Sequence, residues 1–319
     1  MTRKMMVAAH GHCFDGLASA AMFTHLRRAI DRKPVSFAYR SCGYGPNMQT
    51  VPEKWLNGDE NAIVDFRYTP HEKLTWYFDH HITSFSSEEQ RAEALARSNR
   101  YFHDPNYGSC TKLIVDVGSD RFGTSFERYR ELTDWADRID RAAFSSASDA
   151  IDRHDPVKQL AGVVEQHGDA PLFEKLVPEL LAQPLEDVAK SNYVQELWRP
   201  IDASQRETHD RIARGLETHD DVVFVDLHDA PLKASGKFVA YALMPSCVYS
   251  IALIRMKQHF KISIGYNPWG DKPRRHDIGS LCQRYGGGGH AVVGAVSVPL
   301  AKLDEARRIS LEILQELNR

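Results

Sequence analysis

Cysteine is scarce in this chain: there are five, at positions 13, 42, 110, 247 and 282, an odd number with no Cys-x-x-Cys pair. That spacing excludes a disulfide framework and a zinc ribbon, and it fits a reducing cytoplasm, the location expected here. Long apolar runs are missing too. The one uncharged stretch of note, Phe238 to Ile254, contains Pro245, Ser246 and Ser250 and falls short of the about 20 apolar residues that a spanning helix needs. It reads instead as buried strands around a turn at Met244-Pro245-Ser246, and no membrane partner is expected. Arg3 and Lys4 precede only a brief apolar segment before His10, too little for the core of a signal peptide, so no export is expected. Nor does charge of either sign dominate. A net charge of -3 over 319 residues argues against a surface that tracks long DNA or RNA by charge alone, and leaves short or locally gripped nucleic acids as candidates. There is no internal repeat, and the only low-complexity segment is Gly286-Gly287-Gly288-Gly289. No protein partner is indicated, while a homo-oligomer is compatible with all of this.

What the chain does contain is chemistry at the ends of apolar runs. Trp76-Tyr77-Phe78 leads into Asp79-His80-His81, Ala62-Ile63-Val64 leads into Asp65, and Met6-Val7-Ala8-Ala9 leads into His10. In open α/β sheets, ligands bind outside the carboxyl ends of the strands. Carboxylates and imidazoles gathered on one such edge suit a divalent metal, Mn²⁺ or Zn²⁺ rather than Ca²⁺.

The length allows about two domains. In the first half, strands expected at Met5 to Ala9, Val35 to Tyr39, Ala62 to Phe66 and Trp76 to Phe78 alternate with helical patterns at Leu17 to Ile30, Glu88 to Ser98 and Ser125 to Asp137. Such alternation means a mostly parallel sheet covered by helices. From Pro184 to about His219 the pattern is charged and helical, with Pro200 expected to break or kink it. Strands follow at Val222 to Leu227, Ala240 to Leu243, Val248 to Met256 and Phe260 to Tyr266. A helix at Ile278 to Tyr285, a strand at Val292 to Val298 and a helix at Leu303 to Leu317 complete the chain. The fold class is therefore α/β, with an N-terminal mostly parallel domain (1–185), a helical connector (186–219) and a smaller C-terminal α/β domain (220–319).

Taken in order, His10-Gly11-His12-Cys13-Phe14-Asp15-Gly16, Asp65, Asp79-His80-His81 and Gly286 to His290 resemble the motifs of the DHH phosphoesterase superfamily. That superfamily includes single-strand exonucleases, nanoRNases, phosphoadenosine phosphatases, cyclic-dinucleotide phosphodiesterases, exopolyphosphatase-like enzymes and family II pyrophosphatases. The resemblance spans nearly the whole chain. It implies a metal-binding DHH domain followed by a DHH-associated substrate domain. By that resemblance His10, Asp15, Asp65 and His80 are metal ligands, with Asp65 bridging two ions, and His81 faces the scissile phosphate, so that Asp65 and His81 carry the catalysis. A further carboxylate is expected in Trp135-Ala136-Asp137-Arg138-Ile139-Asp140, with Asp137 preferred slightly over Asp140. His12 and Cys13 are additional candidates. Cys13 stands where many members carry a first aspartate, as in a Cys-x-Asp-Gly subgroup. A thiolate ligand there would favour Zn²⁺ or Fe²⁺ over Mg²⁺; otherwise the cofactor is one or two ions of Mn²⁺ or Mg²⁺.

Phosphodiester attack needs a hydroxide at neutral pH and neutralisation of charge on the phosphoryl oxygens, which two divalent ions about 3.5 to 4 Å apart supply together. The glycine run has another task. Free of Cβ atoms, it can take positive φ and converge N–H groups on a phosphate oxygen. The substrate-binding candidates are thus Gly286, Gly287, Gly288, Gly289, His290 and, among nearby cations, Arg275; Trp269 could stack a base, or serve a hydrophobic turn. Gly43-Tyr44-Gly45 lacks the Lys-Ser/Thr of a P-loop, and Ser109 and Cys110 have no base nearby in sequence. The expectation is a metal-dependent phosphoesterase acting on short oligonucleotides or small nucleotides. The alternatives are hydrolysis of phosphoanhydrides and nucleotide binding by a chain whose metal site has decayed.

Overall fold

In the computed structural model, residues 2–31, 33–43 and 50–319 are described, so that Tyr44 and Gly45 of the Gly43-Tyr44-Gly45 run lie outside the described residues. The chain divides into two compact units, Met1–Ala143 with Arg153–Trp198, and Phe144–Asp152 with Arg199–Arg319. The limits drawn from sequence at 185 and 219 differ from these: the first unit runs on to Trp198, and a short segment before residue 153 groups with the second.

The first unit is built on five strands, all parallel, in the order β2-β1-β3-β4-β5. Along the chain these are β1 (Arg3–His10), α1 (Phe14–Ile30), β2 (Val35–Cys42), β3 (Glu60–Val64), β4 (Trp76–Asp79), α2 (Glu88–Arg97) and β5 (Tyr101–His103). Helices α3 (Cys110–Phe122) and α4 (Arg130–Asp140) follow. Met5 to Ala9 of β1 have no solvent exposure, the continuous apolar run of a strand covered on both faces. One cover is α1, whose Leu, Met and Ala residues favour helix and are buried nearly all round. Its Phe23 ring meets Trp76 and Phe78 of β4 at 5.8 and 6.1 Å. Tyr77, pointing the other way because side chains alternate, packs on Tyr68, Phe85 and Tyr101. The helix ends at Asp31, which accepts the Lys33 amide just before Pro34.

Beyond α4 come α5 (Ala147–Ala150), α6 (Pro156–His167), α7 (Ala170–Ala182), α8 (Leu185–Ala189) and α9 (Asn192–Gly215). The expected break at Pro200 does not occur, since α9 is helical through it. A proline removes one hydrogen bond, and in a helix of 24 residues the neighbouring turns carry the segment past it. The division between units nevertheless falls beside this residue, at Trp198 and Arg199.

The second unit holds β6 (Leu216–His219), β7 (Val222–Leu227), α10 (Val239–Leu243), β8 (Tyr249–Arg255), β9 (His259–Tyr266), α11 (Ile278–Gln283), β10 (Gly288–His290), β11 (Val293–Pro299) and α12 (Leu303–Leu317). Its sheet runs β10-β11-β9-β8-β7-β6, with only β7 and β8 parallel. Burial alternates along β8 and β9, and the inward residues Ile251, Leu253, Ile262 and Ile264 meet Ile309 and Ile313 of α12 in one core. One expectation is corrected here: Ala240 to Leu243 is helix, not strand. An apolar run this short satisfies either period, and the tertiary contact decides. Helical backbone lets the buried Tyr241 hydroxyl reach Ser250 Oγ at 2.8 Å.

The glycine run is used unevenly. Gly286 has φ +73°, which L side chains rarely adopt. A Cβ on Gly287 would lie 2.2 Å from the Ala295 carbonyl oxygen, whereas one on Gly288 would meet nothing within 4 Å. The Gly287→Ala variant should therefore lower stability by about 1–3 kcal/mol through overpacking against backbone, and Gly288→Ala should stay within about 0.5 kcal/mol of wild type. Thermal or denaturant unfolding of the two variants checks this, and equal midpoints would show that close packing is not what requires glycine at 287.

Candidate metal centre

Strand register assembles the site. Ala9, Val64 and Phe78 are paired neighbours across β1, β3 and β4, so the next residue along each strand, His10, Asp65 and Asp79, forms one row at the carboxyl edge. Cys42 extends the row beside His10 and His103 extends it beside Asp79. The chain leaves β1 for β2 on one side while β3 lies on the other, so His10 and Asp65 flank the point where strand order reverses. Gly16 makes the first turn of α1 fit here, because a Cβ on it would lie 1.9 Å from the His10 carbonyl oxygen.

Asp65 is wholly buried and takes the left-handed region, φ +56°, which costs energy for a residue with a Cβ and is concentrated at functional sites. Its amide is held by the Phe78 carbonyl at 2.9 Å. Neither carboxylate oxygen has a hydrogen-bond donor; they face His10 Nδ1 at 3.4 Å, His80 Nε2 at 3.6 Å and His81 Nδ1 at 3.7 Å. His80 donates Nδ1–H to the Tyr107 carbonyl at 3.1 Å, which turns its buried Nε2 towards Asp15, Asp65 and Asp140 at 3.8, 3.6 and 3.4 Å. With Nδ1–H so committed, Nε2 is the nitrogen that can ligate a metal once its proton leaves. Asp15, in the first turn of α1, accepts the amides of Cys110 and Thr111 at 2.7 and 3.0 Å, and so also caps α3.

Asp79 has a different part. Its oxygens accept from the Tyr77 hydroxyl, Ser84 Oγ, the His80 amide and His81 Nδ1, the last at 2.8 Å, and these bonds orient the His80-His81 turn. Three groups of donor atoms lie within 4.8 Å of one another: Asp65, Asp79, His80 and His81; His10, Cys13 and Asp65; and Asp15, His80 and Asp140. Of the two carboxylates in doubt on α4, Asp140 therefore reaches the cluster. Asp137, one turn earlier, pairs instead with Arg141 Nη1 at 3.2 Å and Ser109 Oγ at 3.4 Å. His12 stands apart as well, its Nδ1 3.0 Å from the Glu165 carbonyl. In the second unit the Arg275 guanidinium pairs with Asp221 at 2.8 Å, and the Trp269 indole donates to the Phe144 carbonyl at 2.7 Å. Gly289 and His290 are exposed on the edge strand β10. Sequence reasoning missed Ser84, Tyr107 and His103, which act through common residue types or a backbone carbonyl and leave no pattern.

Burial would raise Asp65, but His10, His80 and His81 outweigh it and carry the carboxyl down to about 2. Burial would lower His80, but Asp65 and Asp15 carry it up to about 10. Asp15 and Asp140 are raised, first by burial and then by the charge of Asp65. Burial, followed by Asp65 and Asp15, likewise pushes the Cys13 thiol well up. Orphaned buried oxygens and a buried imidazole nitrogen, set among carboxylates that cannot all ionise comfortably together, fit a divalent cation.

No family model matches the chain, and no curated protein matches it. Among solved structures, the pGpG-specific phosphodiesterase PggH from Vibrio cholerae is similar over 99% of each chain, with a TM-score of 0.71 at 19% identity. A DHH domain from a member of the s1p family of ribosomal proteins is similar over 99% of this chain and 87% of its own, with a TM-score of 0.60 at 12% identity. Exonuclease RecJ bound to manganese is similar over 97% and 90%, with a TM-score of 0.55 at 12% identity. At these identities the likeness is one of fold, and the fold is that of the DHH proteins.

Two outcomes follow for metal binding. Because His80 holds a proton up to about pH 10, a cation at Nε2 must displace it, so Mn²⁺ affinity should rise with pH between about 6 and 9 by up to about tenfold per unit, with proton release. Calorimetry in buffers of different ionisation enthalpy measures both. In the same assay Asp140→Asn should weaken binding by about tenfold or more and Asp137→Asn by little. The reverse order would place the ligand on Asp137.

Proposed function

We propose that this chain, with the fold of the DHH phosphoesterases, is a metal-dependent phosphodiesterase that hydrolyses phosphate esters of short oligonucleotides or small nucleotides, with a linear dinucleotide as its first candidate substrate. The observation that carries the reading is Asp65, fully buried, left-handed and without a hydrogen-bond donor, between His10 on one side and His80 on the other. The full-length match in fold to a pGpG-specific phosphodiesterase supports the dinucleotide, and the manganese in a RecJ structure supports Mn²⁺ or Mg²⁺.

On this reading His10, Cys13 and Asp65 would hold one divalent ion and Asp15, His80 and Asp140 another, with the Asp65 carboxylate lying beside both His10 and His80. Divalent ions held there would supply a nucleophile at neutral pH and neutralise charge on the phosphoryl oxygens. His81 completes the chemistry. Burial would lower it, but the bond from Nδ1–H to Asp79 and the charges of Asp79 and Asp65 raise it, which favours the protonated ring that a proton donor to the leaving oxygen needs. Gly286 to Gly289 and His290 are the proposed phosphate-binding groups of the second unit.

Asp65→Ala and His80→Ala should each lower hydrolysis by about 10²-fold or more while the folded spectrum is kept, since losing one charge-stabilising group at a transition state costs that much. The test is a panel of 5′-labelled di- to decanucleotides, pGpG, cyclic dinucleotides, phosphoadenosine phosphate and polyphosphate with Mn²⁺. Retention of more than about a tenth of wild-type turnover by Asp65→Ala would overturn the metal assignment.

Cys13 sets the metal preference. A raised thiol is a weak ligand for a hard ion, so Cys13→Asp should tighten Mn²⁺ binding and raise activity at limiting metal. Stoichiometric Zn²⁺ in the purified protein, released on alkylating Cys13, would instead make the thiolate a ligand.

A further inference from the structure

We infer that His103, backed by Arg91, is a positioning residue that sets the orientation of His81. The inference rests on the role given to His81 above. His103 lies at the end of β5, directly across from Asp79 in the strand register, and is 9% exposed. Arg91 Nε is 2.8 Å from its Nδ1, and Arg91 Nη2 is 3.4 Å from its carbonyl oxygen. A guanidinium only donates, so Nδ1 of His103 must accept, and the ring proton therefore sits on Nε2. That nitrogen is 2.9 Å from the His81 carbonyl oxygen, to which it donates. Phe85 meets the ring edge-on at 5.0 Å and keeps it in this plane.

The His81 carbonyl also accepts from the Ser84 amide at 3.2 Å, and the single Ser84 hydroxyl proton lies between this carbonyl and Asp79. Two N–H donors thus converge on one carbonyl. They clamp the peptide after His81, while Asp79 clamps the imidazole from the other end through Nδ1. The ring is thus held through Nδ1 on one side and through its own peptide on the other. Outer-shell partners of this kind typically change rates by about 10–100-fold without touching the reacting atoms. No sequence spacing announces His103, and nothing in the ligand groups includes it.

The test uses the full chain loaded with metal and pGpG as substrate. His103→Leu should lower kcat by about 10-fold or more, with KM, Mn²⁺ half-saturation and melting temperature within about twofold or a few degrees of wild type. His103→Gln, whose amide can still accept from Arg91 and donate to the His81 carbonyl, should recover most of the loss. Wild-type kcat in His103→Leu, or a loss that Gln fails to rescue, would overturn the inference. A second readout does not depend on turnover. In ¹⁵N-histidine spectra of the Mg²⁺-loaded protein, His103 should be neutral with its proton on Nε2, and the His81 ring signals should shift in Arg91→Met and His103→Leu. His81 signals unchanged by both substitutions would overturn the inference even in an active enzyme. Shifted signals in a protein that cleaves none of the substrates would leave the positioning intact and defeat the phosphodiesterase reading.

Discussion

Repulsion among buried carboxylates is the constraint around which the first unit is arranged. Asp15, Asp65, Asp79 and Asp140 converge on a few ångströms at a sheet edge, and the first three are almost wholly out of water. Two unit charges 4 Å apart repel by about 4 kcal/mol at an effective dielectric of about 20, so such a set would not persist without compensation. Part of it comes from the imidazoles of His10, His80 and His81. Part comes from backbone: the amides that open α3 hold Asp15, and those of His80 and His81 hold Asp79. What remains uncompensated is the charge on Asp15 and Asp140, whose carboxyls burial and Asp65 raise, and that is the charge a divalent ion would take up.

The same constraint explains why so much of the surroundings is rigid. Parallel strands present their carboxyl ends together, but each side chain still needs one orientation, and side-chain entropy opposes that. The protein fixes orientation with bonds behind the reacting atoms: Tyr107 behind His80, Asp79 behind His81, and Ser84 and His103 behind the His81 peptide. Local backbone cost is accepted where geometry requires it, at the left-handed Asp65 and at Gly16 pressed against His10. The second unit solves a simpler problem. Its alternating strands bury one face under α11 and α12, and glycines let the β10–β11 edge pack closely.

Legibility differed from residue to residue. His10, Asp65 and His80 were readable because each follows an apolar run, and an apolar run of that length in an alternating pattern is a buried parallel strand. Asp140 was not separable from Asp137, since residues three apart on a helix share nearly one face and only the position of α4 along the sheet edge tells them apart. Arg275 and Trp269 looked available in sequence and turn out to be engaged with Asp221 and Phe144, partners far away in the chain. The helix at α10 lies in a run too short to show a period, which packing decided, and α9 runs unbroken through Pro200 because the chain on either side outweighs a preference worth about 3 kcal/mol at a proline.

By itself, then, the sequence determined the α/β class, the order of the elements, and which residue types reach the carboxyl edge, because hydrophobic period and strand-end position are local properties of the chain. Tertiary structure alone decided which atoms of those residues face one another. The row of His10, Asp65, Asp79 and His103 exists only through strand register, and the ring orientation of His80 and the tautomer of His103 exist only through a carbonyl and a guanidinium contributed from elsewhere. Hydrogen bonds depend on distance and angle between groups remote in sequence, and no local pattern encodes those.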